Sequence, residues 1–525
     1  MVEMVIGVIL YLAVIAFLGF LGYKRTQNAT DYLLAGRETH PFVMALSYGA
    51  TFISTSAIVG FGGMAALFGM GLLWLVFLNI ILGIFVAFVC FGNRTRLIGY
   101  HLGAHTFPEL LGKRYGSRFI QIAGGAMIFA SMPLYSAVVL KGGTHFIEIY
   151  LSIPYNVALI SFTLLISAYV ITGGLKGVMY TDALQGTIMF IGMLFLLVFA
   201  YVSLGGISGA HETLTAMADM VPEPLAAKGH AGWTSMPVTG SEWWWVLVTT
   251  IIMGVGIGVL AQPQLVVRFM TVKSRRELNR AVLVGGIFIL FTAGVVYVVG
   301  SLSNIFFFRQ SGQLAVAAAG GNIDKIIPLY IAEAMPSWFV VVFTLTLLAA
   351  AMSTLSSQFH AMGTSLSRDI YQQLVPHTGK DNTVKLARMA IIVGIIVVMA
   401  LGWVLPASII ARGTAIFFGL CTSTFLPMYL LGLYWRGATR AGAISGMMFG
   451  ISGSVFYLLF IHIKESSALG ICQTLFGVPS LASFPWIVID PIVIIFPLTF
   501  LITVVVSLFT SKPEKELLDK VFGRD

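Results

Sequence analysis

Thirteen apolar runs, parted by short polar stretches, set the pattern of this chain; they fall near 3–22, 42–68, 72–93, 119–141, 156–172, 180–203, 243–267, 282–306, 337–363, 387–404, 408–434, 441–462 and 485–511. A helix needs about 20 apolar residues to cross the hydrocarbon of a bilayer, and in lipid only helices or closed barrels satisfy their own backbone. The pattern therefore predicts an all-α polytopic membrane protein with 13 transmembrane helices. The first run opens on Met1, Val2 and Glu3 without a basic flank, so it reads as a retained helix rather than a removable leader.

Two runs are irregular inside. The second reads Ser47-Tyr48-Gly49-Ala50-Thr51-Phe52-Ile53-Ser54-Thr55-Ser56 and then Gly60, Gly62 and Gly63. Five runs later, the seventh alternates Gly254, Gly256 and Gly258 before Gln262-Pro263. Small and hydroxyl residues weaken a helix, and transporters with inverted repeats place a broken helix at the start of each half. Close helix packing is the other use of such glycines, but their matched positions favour breaks. An odd offset of five makes the halves inverted. The expected organisation is an extra amino-terminal helix with its loop over 1–40, a first repeat over 41–204, an external loop over 205–241, a second repeat over 242–440, and two peripheral helices with a short tail over 441–525.

Charge orients this plan. Of 30 Lys and Arg, 24 fall in alternate gaps or the tail, and positive loops stay cytoplasmic. The expectation is a multi-pass protein of the cell (inner) membrane with its amino terminus outside and its carboxyl terminus in the cytoplasm. The net charge of +9 is spread over short loops, which fits a lipid surface and not nucleic acid. With 58% hydrophobic and 10% charged residues, no large soluble domain is expected. Cys90, Cys421 and Cys472 have no metal-ligand spacing, and no nucleophile triad or nucleotide loop is present, so the chain does not read as an enzyme.

Candidate chemistry sits in the ninth run. Ser353, Ser356 and Ser357 stand at i, i+3 and i+4, so their hydroxyls share one helix face, with Thr354 beside them. Such hydroxyls either ligate a small hard cation together with freed carbonyls or bond their own preceding carbonyls. Asp182, near membrane depth, either serves an ion or proton or pairs with Lys176 or Arg37. Lys141, near the outer end of its run, suits either a carboxylate or a snorkelling role.

The stretch from Thr172-Gly173-Gly174 through Tyr180-Thr181-Asp182-Ala183-Leu184-Gln185 resembles the hallmark of the sodium:solute symporter family, which carries proline, pantothenate, sugars and sialic acid with sodium. Gly36-Arg37, Ala351-Met352-Ser353-Thr354-Leu355-Ser356, and Leu426-Pro427 through Gly432-Leu433-Tyr434-Trp435-Arg436 with Gly442 agree in order. The resemblance implies the five-plus-five, leucine-transporter-like fold. It implies a sodium ion as cofactor, held by Ala50, Ile53, Ala350, Ser353 and Thr354, and a second sodium at Asp182, Ser353, Ser356 and Ser357. The solute would lie among Thr51, Phe52, Ser54, Tyr135, Ser136, Val255 and Val259.

Val255 and Val259 replace an aromatic pair of proline carriers, and Phe52 replaces an aspartate, which turns the expectation from proline towards a small organic acid such as pantothenate or a monocarboxylate. The expected function is sodium-coupled symport by alternating access. The alternatives are sodium-coupled transport of proline or another amino acid, proton coupling through Asp182, which is the nearer one to sodium coupling, and a transporter-like sensor acting through a partner. The expected partners are the small solute and the lipid bilayer.

Overall fold

The computed structural model describes residues 2–375 and 383–523, and among these every regular element is helical. Among the described residues, ten helices are long and apolar enough to cross a bilayer, and Tyr155–Ser167 and Ile492–Leu508 are shorter apolar helices. Two expected neighbours, near 42–68 and 72–93, run almost into one another, separated only by a tight turn at Gly69–Leu72. Large apolar side chains such as Leu10, Phe20, Phe85 and Val202 stay more than half exposed along the spans, as a lipid-facing surface requires.

Boundaries differ from the pattern where polar residues ride on continuous helix. The fourth helix runs Arg118–Leu151, well beyond its expected end, because Lys141, Gly142 and Gly143 are buried against neighbours rather than set in a loop. The ninth runs Ser337–Leu374, so part of the gap expected between the ninth and tenth runs is helix and another part lies outside the described residues. The stretch expected to open the last span is instead loop; its helix starts at Ile492, after two short helices at Ile463–Leu469 and Ile471–Phe476.

Close packing of the bundle shows at three places. The helix Tyr155–Ser203 bends at Gly174, whose φ of 58° only glycine adopts cheaply, and a Cβ there would lie 2.7 Å from Tyr32. At Gly177 the first helix passes so closely that a Cβ on Gly22 would stand 2.3 Å from its Cα. Ser337–Leu374 is the most enclosed of the spans together with Ile410–Tyr434, so its hydroxyls meet protein and not lipid.

Candidate functional site

Pro41–Phe52 forms a helix that stops at Ile53, whose φ of −89° and ψ of 97° swing its carbonyl out of the helical direction. The chain resumes as a π-type turn at Ser56–Gly60 and a helix at Phe61–Phe68, with Ser54 Oγ accepting the Ala57 N–H. The second irregular run breaks in the same manner: Gln262 has ψ of 116°, and Pro263–Phe269 begins anew with proline in its first turn. Both helices are thus interrupted where small residues and proline had marked them. A break leaves carbonyls without intrahelical donors, and those oxygens must find other partners.

The ninth helix supplies them. Ser353 Oγ donates to Ala50 O at 2.8 Å and approaches Ala350 O at 3.2 Å, while Thr354 Oγ1 donates to Thr51 O at 3.1 Å. Ala50, Ser353 and Thr354 are completely buried and Ile53 nearly so. Four of the five expected first-site residues, Ala50, Ala350, Ser353 and Thr354, are therefore joined through one carbonyl–hydroxyl cluster, with Ile53 at the break beside it.

Asp182 has a partner that the sequence did not suggest. Its Oδ2 accepts from Arg268 Nη2 at 2.9 Å and from Ser47 Oγ at 2.7 Å, and both charged side chains are fully buried. Arg268 Nη2 also lies 2.6 Å from Thr51 Oγ1 and 2.6 Å from Ser357 Oγ, Nε donates to Ser47 Oγ at 2.9 Å, and Nη1 donates to Gln264 O. Lys176 instead pairs with Asp31 at 3.0 Å, and Arg37 donates to Ala104 O at 2.6 Å. Pairing of Asp182 with Lys176 or Arg37 is thus corrected. The cause is the break at Gln262, which turns Pro263–Phe269 so that Arg268, grouped by charge count with a cytoplasmic loop, points into the core. Ser356 Oγ donates to Ser353 O at 3.0 Å, within its own helix.

The residues expected to face the solute gather only in part. Tyr135 stacks on Phe417 at 5.2 Å, meets Phe418 edge-on at 5.2 Å, and lies close to Ser54 at the first break. A Cβ on Gly83 would touch Val259 at 3.3 Å and Phe52 at 3.5 Å, and one on Gly258 would meet Phe418 at 2.6 Å. Phe52, Ser54, Tyr135 and Val259 thus belong to one neighbourhood with Phe417 and Phe418. Ser136 Oγ is buried without a hydrogen-bond partner, Val255 is buried one turn away from Val259, and Thr51 faces Arg268. Lys141 is occupied elsewhere, donating to Leu405 O at 3.2 Å and lying 5.0 Å over the Tyr155 ring. Phe417, Phe418 and Arg268 are the residues that spacing could not find; nothing in a run of apolar letters separates these phenylalanines from core.

On the side of the basic loops, Glu109 is buried beneath Arg368 at 3.0 Å and Lys113 at 2.8 Å. Burial alone would raise its carboxyl, but hydrogen bonds and charge from His105, Arg368 and Lys113 outweigh that and hold it well below the usual carboxylate range.

Comparison with known proteins places this geometry. The sodium:solute symporter family profile matches residues 32–450. The chain is 30% identical over 456 residues to the high-affinity proline transporter PutP of Bacillus subtilis, covering 84% of this chain and 89% of that one. It is 26% identical over 465 residues to a sodium/pantothenate symporter of Haemophilus influenzae, covering 88% and 91% respectively. It is 28% identical over 523 residues to a sodium/proline symporter of Staphylococcus aureus, covering 97% and 93%. Among solved structures, a Na+-coupled sialic acid symporter in a substrate-bound outward-open state shares the fold, with a TM-score of 0.75, 20% identity, and coverage of 97% of this chain and 98% of that one. A nucleobase-cation-symport-1 family transporter in a closed conformation matches with a TM-score of 0.51 and 11% identity, covering 94% and 99%. Leucine-transporter-like architecture, two broken helices and a profile match over most of the sequence lead to one conclusion: the chain belongs to the sodium:solute symporter family, and it is a multi-pass, sodium-coupled transporter of a small solute and not an enzyme.

Proposed function

We propose that one sodium ion binds where Ala50, Ile53 and Ala350 offer carbonyls and Ser353 and Thr354 offer hydroxyls, and that its arrival draws the first broken helix onto the ninth. The observation that carries this reading is the approach of Ser353 Oγ to Ala50 O at 2.8 Å and of Thr354 Oγ1 to Thr51 O at 3.1 Å. Hydroxyl protons occupy carbonyl lone pairs there. A sodium ion would take those lone pairs and turn the hydroxyl oxygens toward itself, replacing part of its hydration shell with fixed dipoles. The halves over 41–204 and 242–440 would then rock about the site, with the amino terminus outside and the carboxyl terminus in the cytoplasm.

The solute is a small organic acid. Proline and pantothenate, named for the relatives, and sialic acid, named for the structural neighbour, all carry a carboxylate. The aromatic wall of Tyr135, Phe417 and Phe418 next to Ser54 offers an apolar face beside hydroxyl donors. Phe52, Val255 and Val259 give the neighbourhood a bulk that favours a pantothenate-like or monocarboxylate chain over proline, with proline the second reading because two of the relatives carry it.

Driving force is sufficient from a single ion. A charge moved through 100 mV gains about 2.3 kcal/mol and a tenfold gradient about 1.4 kcal/mol, which together sustain a solute ratio of a few hundredfold. Proteoliposomes loaded with an inward sodium gradient are expected to accumulate labelled pantothenate, lactate or proline, and sodium replaced by choline at fixed pH is expected to stop it. Uptake that persists in choline and follows the pH gradient would replace sodium with protons in this scheme.

A further inference from the structure

Two of the four side chains expected to hold a second sodium, Asp182 and Ser357, already face a cation. Asp182 Oδ2 and Ser357 Oγ lie 2.9 Å and 2.6 Å from Arg268 Nη2, and Thr51 Oγ1 lies 2.6 Å from the same nitrogen. Ser47, the remaining hydroxyl on Asp182, is bonded to Arg268 Nε at 2.9 Å. Ser353 Oγ turns to the first site and Ser356 Oγ to its own helix. What remains is Asp182 Oδ1, buried without a hydrogen-bond partner. One oxygen does not replace a hydration shell, since hard cations of this size take about six.

We propose that the Arg268 guanidinium is the resident cation of this second position, tethered to the chain and never exchanged, so that the transporter carries one sodium per cycle. Three features of the group support this. A guanidinium keeps its charge at every accessible pH, and its planar fork holds several N–H groups at once within hydrogen-bond reach of Asp182, Ser47, Thr51, Ser357 and the Gln264 carbonyl, the first, third and fourth sharing the two N–H bonds of Nη2. Its charge cancels that of Asp182 and both side chains are fully buried, so a sodium ion added beside them would leave an unbalanced buried charge. It also sits on Pro263–Phe269, the segment restarted by the second break, and reaches Ser47 and Thr51 on the first broken helix and Ser357 on the ninth. Arg268 therefore ties both broken helices to the helix that holds the first sodium, a task an exchangeable ion would otherwise perform. Serine and aspartate spacing alone would have assigned two sodium ions.

This inference rests on the proposed first site, and sodium binding separates the two. The probe is radioactive sodium, titrated onto the purified full-length chain in detergent. One saturable sodium per chain with a Hill coefficient near 1 is expected, lost in Ser353→Ala and retained in Asp182→Asn and in the milder Ser357→Ala. In Arg268→Ala a second sodium is expected to appear and to vanish again when Asp182→Asn is added. Two sodium ions on the unaltered chain, one of them lost in Asp182→Asn or Ser357→Ala, overturn the inference and leave the first site standing. A single ion that Ser353→Ala spares and Asp182→Asn removes overturns both, as does the absence of any saturable sodium. A count that stays at one in a folded Arg268→Ala protein also overturns the role given to the arginine.

Discussion

Two positions on the helix Ser337–Leu374, within about one turn of each other, differ in the charge of the groups they gather. At Ser353 and Thr354 the groups are uncharged, and hydroxyls meet carbonyls left over by a helix break. At Ser357 a full carboxylate, Asp182, meets a full guanidinium, Arg268, with no exposure to solvent. Partial charges can hold an ion firmly enough to bind and loosely enough to release, which a carrier needs. A buried carboxylate demands a permanent partner, because an unpaired charge at that depth is far costlier than the pair. The lesson is that oxygen-rich spacing does not by itself say whether a cation is cargo or part of the chain.

The largest expected effect breaks the charged position. Asp182→Asn leaves Arg268 buried without its counter-charge and is expected to destabilise the protein by about 3–5 kcal/mol, read as a lowered thermal midpoint of the purified chain. Combining it with Arg268→Gln is expected to recover part of that loss, since neither charge then remains buried. Additive losses in this double-mutant cycle would mean that the two side chains do not depend on each other.

Next comes the backbone approach that brings the helices together. A Cβ on Gly63 would stand 2.0 Å from Ile323 O, so Gly63→Ala is expected to cost about 1–3 kcal/mol through forced movement of backbone. An unchanged melting curve would show that the second half of the first broken helix shifts freely. The neutral position should respond more gently. Ser353→Ala removes one proposed ligand and is expected to raise the sodium concentration for half-maximal uptake about tenfold, equivalent to about 1.4 kcal/mol, with little change in melting. Thr354→Ala is expected to act alike, and unaltered sodium dependence in both would remove the first site.

The smallest effect lies outside the membrane. The carboxyl of Glu109 is held below its ordinary value, so its contribution is complete above about pH 4.5, the value of an unperturbed glutamate. Folding stability is expected to fall as pH drops below that toward the depressed folded value, and the Glu109→Gln protein is expected to lose this slope. A slope identical in both proteins would mean that His105, Lys113 and Arg368 do not hold this carboxylate.

Much of this molecule was legible from letters alone. Apolar runs of membrane length allow little besides helices, since lipid offers no partner to a bare peptide group, and the glycine-rich stretch before Gln262-Pro263 and the hydroxyl-rich stretch at Ala50–Ser56 marked both breaks. The convergence of Ala50, Ser353 and Thr354 followed from the family resemblance and from three hydroxyls on one face. Tertiary structure alone decided the rest. Arg268 reads as a loop cation until a break reorients its short helix; Phe417 and Phe418 read as core until Tyr135 lies against them; Asp182 reads as an open ligand until its partner arrives from a segment 86 residues away. Periodicity fixes which face of a helix is polar, because that depends on neighbours three and four positions apart. Which charge fills that face depends on contacts between distant segments, and those exist only once the chain is packed.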